Sequence, residues 1–156
     1  MKKCLATMFI VALLTGCSDN EVGDVSLGIF TLKDVKIENL SDDIVTGVTC
    51  HIASIEANLS LSDPSDSSIS CRQTGEITPT MIAQINKSKS GEIVFKKSKS
   101  IFFKSMKVRR IYDADNQTLL YLSYTTKETD GSFKHSLSTV PLWGTAAYVQ
   151  PSPPAN

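Results

Sequence analysis

Histidine is scarce in this sequence: two residues in 156. His51 and His135 stand far apart, and neither belongs to a Cys-x-x-Cys or His-x-x-x-His spacing. The common zinc patterns are therefore excluded. His51 adjoins Cys50, and on a strand two neighbours point to opposite faces, so they do not share a metal. A glycine-rich phosphate loop and a Gly-x-Ser-x-Gly nucleophile elbow are both missing. Excess charge is missing too. Sixteen basic residues balance sixteen acidic ones, which leaves no electrostatic footprint for nucleic acid. Internal repeats are absent, and so is the strand–helix alternation that a parallel sheet requires. These absences leave no recognisable catalytic constellation, and the sequence calls for no cofactor and no metal.

The N-terminus carries the clearest signal. Lys2 and Lys3 precede a short apolar segment, Cys4 to Leu14. It is too short to span a bilayer, which takes roughly 20 residues, and it fits a signal peptide over residues 1–16. Leu14-Thr15-Gly16-Cys17 then matches a bacterial lipobox. Small residues before the cut suit the peptidase, and the Cys17 thiol can take a diacylglyceryl group. The competing reading is an ordinary secretory signal cut nearby. A lipid on Cys17 makes the membrane the first expected partner. Ser18, not Asp, follows Cys17, which points to the outer membrane over the inner one. The expected location is the periplasm-facing cell envelope.

Once Cys4 and Cys17 are set aside, Cys50 and Cys71 remain, an even pair in an oxidising compartment. A bridge between them closes a loop of roughly 20 residues and is worth about 3 kcal/mol in the chain-entropy model. Two free thiols or a metal site are the alternatives.

In chain order, residues 17–24 read as a lipidated N-terminus and polar tether. Val25–Leu32, Asp34–Leu40, Val45–Ile55 and Ile69–Gln73 read as strands, from β-branched content and period-two alternation. Val48, Cys50 and Ile52 share one face, which turns Cys50 to the core. Asp42-Asp43 is a pair of carboxylates in a turn, expected to be solvated. Glu56–Ser68, rich in Ser and Asp, reads as a loop. Thr78 as N-cap and Pro79 at the first helical position open a short helix, Pro79–Lys87. The longest β-forming tract, Gly91 to Tyr124, supplies strands at Ile93–Lys97 and Ile101–Tyr112, a hairpin loop at Asp113–Asn116 and a strand at Thr118–Thr126 apolar on both faces. His135–Leu142 is a last, edge-type strand ended by Pro141. Residues 25–143 form the domain, and the proline-bearing residues 144–156 read as a disordered tail. The expected fold class is mainly β: an antiparallel sandwich or open barrel of about seven or eight strands with one short helix.

Several blocks carry a family resemblance: Gly47-Val-Thr-Cys50, Ile69-Ser-Cys-Arg-Gln-Thr-Gly75, Gly91-Glu-Ile-Val-Phe-Lys-Lys97, Phe103-Lys-Ser105, Arg110-Ile-Tyr-Asp-Ala114 and Leu120-Tyr-Leu-Ser-Tyr124. In this order, spread from about Gly23 to Trp143, they resemble the CreA family (catabolite regulation protein A). The resemblance implies an exported domain with cysteines at the positions of Cys50 and Cys71, which supports their pairing. It carries no catalytic residues. This chain departs from the family's ordinary periplasmic signal by its lipobox.

One charged feature stands out. Lys96, Lys97, Lys99, Lys104, Lys107, Arg109 and Arg110 crowd a short tract. Lys104, Lys107, Arg109 and Arg110 form a candidate patch for an anionic envelope component or an acidic protein surface. The plainer reading is a solvated sheet face that keeps an edge strand from aggregating. Alternation sets Lys107 and Arg109 on one face and Lys104 and Arg110 on the other, which divides the patch. The sequence thus points to a lipid-anchored binding or accessory module. The alternative is an envelope enzyme acting on a cell-wall or lipid substrate.

Overall fold

The computed structural model describes residues 20–28, 30, 33–57, 67–99, 104–126 and 134–151. Cys17, the 1–16 signal and the 152–156 end lie outside them. Among the described residues there are eight strands and one helix. They are β1 (Glu21–Ser26), β2 (Lys33–Ser41), β3 (Val48–Ala57), β4 (Ser67–Gln73), α1 (Pro79–Gln84), β5 (Glu92–Lys99), β6 (Lys104–Asp113), β7 (Thr118–Thr125) and β8 (His135–Pro141). The strands make two four-stranded antiparallel sheets in simple order, β1-β2-β3-β4 and β5-β6-β7-β8. The mainly β class is as the sequence implied.

Alternation builds the core. On β3, Val48, Cys50 and Ile52 turn inward and are buried; on β7, Leu119, Tyr121 and Ser123 do the same. Val108, Val140 and Leu142 join them from β6, from β8 and from just beyond it. β7 is therefore buried along one face and only partly along the other, not covered equally on both. The sheets meet at one corner, where β4 runs beside β8. There the hydroxyl of Ser138 accepts the Cys71 backbone N–H at 2.7 Å, and that of Ser136 accepts the Ile69 N–H at 3.4 Å. Side chains of β8 thus occupy donors that an edge strand leaves open.

The helix starts as its sequence dictates. Thr78 Oγ1 accepts the Met81 N–H at 3.3 Å and Pro79 opens the first turn. It stops at Gln84, earlier than Lys87. Two boundaries also move. Glu21–Asp24, expected in the tether, belong to β1, which pairs with β2 from Glu21↔Glu38 to Ser26↔Asp34. Lys36 compensates the acidic charge there, bridging Glu21 at 2.9 Å and Asp24 at 3.0 Å. At the other end, residues 144–149 are tied down. Ala147 is buried and donates its N–H to Ile77 O at 3.1 Å. Gln117 grips the Val149 backbone with two hydrogen bonds of 2.7 Å. The ordered domain therefore passes Trp143, because Ala147 and the Val149 backbone find partners that the proline count does not reveal.

Candidate functional site

The polar centre of the molecule is buried. β5, β6 and β7 set Glu92, Arg110 and Tyr121 side by side, as register partners across three strands. The turn after β2 brings in Asp42 from the other sheet. Arg110 Nη1 donates to both carboxylate oxygens of Asp42, and Nη2 donates to Glu92 Oε1. The Tyr121 hydroxyl donates to Asp42 Oδ2 at 2.8 Å. Asp42 Oδ1 also accepts the backbone N–H groups of Ile44 and Val45, both at 2.9 Å. Side-chain exposure is 1% for Arg110 and 3% for Asp42, against 31% for Glu92.

The electrostatics follow from this geometry. Burial pushes the Asp42 carboxyl up. The Arg110 guanidinium, the Val45 N–H and the Tyr121 hydroxyl outweigh it and hold the group below the usual carboxylate range. Glu92 is lowered by the Asn86 N–H, a 3.0 Å hydrogen bond, and by Arg110. Burial, and then the charge of Asp42, push the Tyr121 phenol up. Burial works against the Arg110 charge, yet its bonds to Asp42 raise the guanidinium above its ordinary value. Arg110 Nε is buried without a hydrogen-bond partner. All four residues keep one another charged or neutral as they stand. The arrangement is an internal bolt between the two sheets, in which both Arg110 Nη groups and the Tyr121 hydroxyl are bonded inside.

Two glycines permit it. Gly91 has φ +58°, in the left-handed region, and a Cβ there would run into the Arg110 carbonyl. Gly47 lies so close to the Glu76 backbone that a Cβ has no room. Its carbonyl accepts the N–H groups of Thr74 and Gly75 at 2.8 and 3.1 Å.

Of the candidate basic patch, Arg110 is not on the surface at all, which corrects its place there. The reason lies in strand parity: Arg110 shares its face with buried Val108 and partly buried Met106. Arg109 points the other way and uses Nη1 on the carbonyls of Ser90 (2.7 Å) and Gly91 (3.4 Å). Lys107 is half-buried on the same side. The side chain of Lys104 lies outside the described ones. The cluster is thus divided, as alternation required. Asp42, expected in solvent, is inside, while neighbouring Asp43 is exposed.

Cys50 and Cys71 are directly opposite on β3 and β4, with their sulfurs at 2.03 Å. His51 is half-buried on the opposite face of β3 from Cys50. His135 opens β8 beside a cleft of about 310 Å³, whose lining includes Val35, Ile55, Ser67, Ser68 and Lys134. No carboxylate is among its described lining residues. Ser67 Oγ lies 3.3 Å from Ser123 Oγ, so that hydroxyl already has a partner. Among the described residues, no group of His, Cys, Asp and Glu could hold a metal, and no helix is long and apolar enough to cross a membrane.

Comparison with known proteins agrees with this frame. No solved structure matches the chain. Protein CreA of Escherichia coli K12 is 40% identical over 114 residues, covering 69% of this chain and 72% of that protein. The CreA proteins of E. coli O6:H1 and O157:H7 match to the same extent. The family model described as CreA protein matches residues 22–145, which takes in both sheets, the disulfide and all four residues of the buried cluster. The chain belongs to the CreA family.

Proposed function

We propose that this chain is an exported envelope protein, cut before Cys17, lipidated there and held at the periplasmic face of the outer membrane. It acts as a binding or accessory module. One observation carries the reading: Leu14-Thr15-Gly16-Cys17 stands at the end of a Lys2-Lys3 and apolar Cys4–Leu14 segment. The Cys50–Cys71 bridge fits the same compartment, since such bonds persist where the surroundings oxidise. The polar groups that the fold brings together, Asp42, Arg110, Glu92 and Tyr121, are hydrogen-bonded to one another. That use of charge suits a rigid scaffold. With Arg110 inside and Arg109 holding the 90–91 backbone, the binding role does not rest on the basic patch.

Radiolabelled palmitate tests the address in cells. It should enter the wild-type protein and fail to enter Cys17→Ala. A soluble, unlabelled wild type would sink the reading.

A further inference from the structure

Antiparallel pairing gives the two sheets two unlike ends. One end holds the β2–β3 turn, the β6–β7 turn, the segment between β4 and β5, and residues 142–149. Both sheets share it, because Asp42 meets Arg110, and the Ala147 N–H meets Ile77 O. The other end holds the β1–β2 connection with Leu27 and Phe30. The start of the domain lies towards the first end. The Asn20 carbonyl accepts the Asn39 N–H at 2.9 Å, and β1 then runs away from the turns to Ser26, opposite Asp34.

Distances decide which end a lipid on Cys17 reaches. Only Ser18 and Asp19 separate Cys17 from Asn20. Three Cα-to-Cα steps reach at most about 11 Å. Asn39, the partner of Asn20, stands three residues from Asp42, roughly 10 Å of strand. In the other direction it stands six residues from Lys33, where the Phe30 connection begins, roughly 20 Å. The tether spans the first distance and falls short of the second.

The turn end carries what a lipid interface takes. Trp143, the chain's one tryptophan, is 68% exposed and packs edge-on against Tyr148 at 5.0 Å. Val149 beside them is 70% exposed. The segment is held firmly, with Leu142 fully buried and Gln117 on the Val149 backbone. Rings with an apolar body and a polar N–H or O–H settle at the headgroup level of a bilayer. The exposed charges of this end are mixed: Arg72, Lys87 and Lys89 against Asp43, Glu76 and Asp115. Aromatic contact, and not net charge, is therefore the attraction.

We propose that the turn end, led by Trp143 with Tyr148 and Val149, rests in the headgroup layer of the bilayer that anchors Cys17. The strands then stand away from the membrane and the Phe30 end faces the aqueous phase. The inference rests on the lipoprotein reading above: the lipid supplies the tether and Trp143 sets the orientation.

The native Trp143 is its own probe. The full-length lipidated protein is placed in phosphatidylethanolamine–phosphatidylglycerol vesicles with brominated acyl chains, and fluorescence is read. The far end is read with F30W in a W143F background. Phe30 is 93% exposed, so F30W does not threaten folding, and W143F keeps a ring against Tyr148. Trp143 should be quenched at least twofold more than F30W, and added salt should leave that ratio unchanged. Equal quenching, or stronger quenching of F30W, in palmitate-labelled protein overturns the docking and leaves lipidation standing. Loss of the difference in salt overturns the aromatic assignment. Trp143 shielded from aqueous acrylamide but untouched by bromine, together with a crosslinked dimer, overturns it in favour of a second copy. Absence of palmitate on the wild type removes the lipoprotein reading, and this proposal with it.

Discussion

Two ion clusters in this molecule have the same formal makeup, one cation between two carboxylates, and they do different jobs. Arg110 lies between Asp42 and Glu92 at the end of the sheets where the β2–β3 turn comes in. Lys36 lies between Glu21 and Asp24 at the β1 edge. Side-chain exposure is 1% for Arg110 and 22% for Lys36. The difference in chemistry follows the difference in burial. Arginine presents a planar fork, which suits a buried bidentate carboxylate; lysine offers a compact, strongly hydrated charge that stays partly in water. In water the pair is screened and the pairing is weakly worth having. Inside, the attraction is strong, but so is the cost of leaving either partner alone. Losing one partner of the buried cluster is therefore costly, whereas the exposed cluster trims an edge strand.

The sharpest way to break this comparison is Arg110→Leu. It leaves Asp42 as a buried carboxylate without its cation, and should cost about 3–5 kcal/mol of unfolding free energy in urea. Adding Asp42→Asn should recover part of that loss, because no uncompensated charge then remains. A loss for Arg110→Leu below 1 kcal/mol would mean that the cluster is open to water and the two ends are alike.

Next in size is the disulfide. Cys50 is the register partner of Leu40, two residues before Asp42. The bridge to Cys71 therefore braces the strand that leads into the buried turn. Cys50→Ala with Cys71→Ala should cost about 3 kcal/mol, from a closed loop of roughly 20 residues. The comparison becomes sharper if Arg110→Leu then adds less than its separate cost, because coupled sites are not additive.

Acid separates the clusters in a third way. The Asp42 and Glu92 carboxyls are held below their ordinary values in the folded chain. A depressed folded pKa gives stability that is complete above the unfolded pKa, about 4. That stability fades as pH falls through the lower, folded value. Wild-type stability should hold from neutral pH down to about 4 and then drop steeply. Asp42→Asn should flatten the drop. An unchanged slope in denaturant melts below that pH would assign acid unfolding to other carboxylates.

How much of this was legible in the sequence depends on whether the cause was local. The helix start was readable, since Thr78 and Pro79 act within one turn. So was the inward set of β3, since Val48, Cys50 and Ile52 repeat every second residue. The buried cluster was not readable from its acid: Asp42 meets Arg110 across 68 positions, and an Asp-Asp pair in a turn gives no hint of a distant cation. A partial signal existed on the basic side. Arg110 shares strand parity with Met106 and Val108, so its own alternation placed it inward, while the density of neighbouring lysines argued for the surface. The β1 edge was misjudged for a similar reason. Glu21 and Asp24 look like tether residues until Lys36, on another strand, supplies the charge they lack. The 144–149 segment was read with the prolines that follow it because its anchors, Ile77 and Gln117, come from elsewhere in the chain.

The smallest expected effect is at Lys36, and it is the one that decides whether the two clusters belong to different classes. Its ammonium is held above its ordinary value, first by the hydrogen bond to Glu21 and then by that to Asp24. A raised pKa on a cation contributes stability that is full below the unfolded value and is lost only as pH rises through the folded one. That window lies above the usual lysine range, so no trace of it should appear near neutral pH. Lys36→Met keeps the length of the side chain and removes the charge. Glu21 and Asp24 are exposed, and water can take over their solvation. The thermal midpoint of Lys36→Met should therefore match the wild type within error, and added salt should not move the difference. A drop comparable to that of Arg110→Leu would show that β1 is fixed by its ion pairs. In that case the edge strand would be a second bolted element, and not a face held to the body by its backbone pairing with β2 alone.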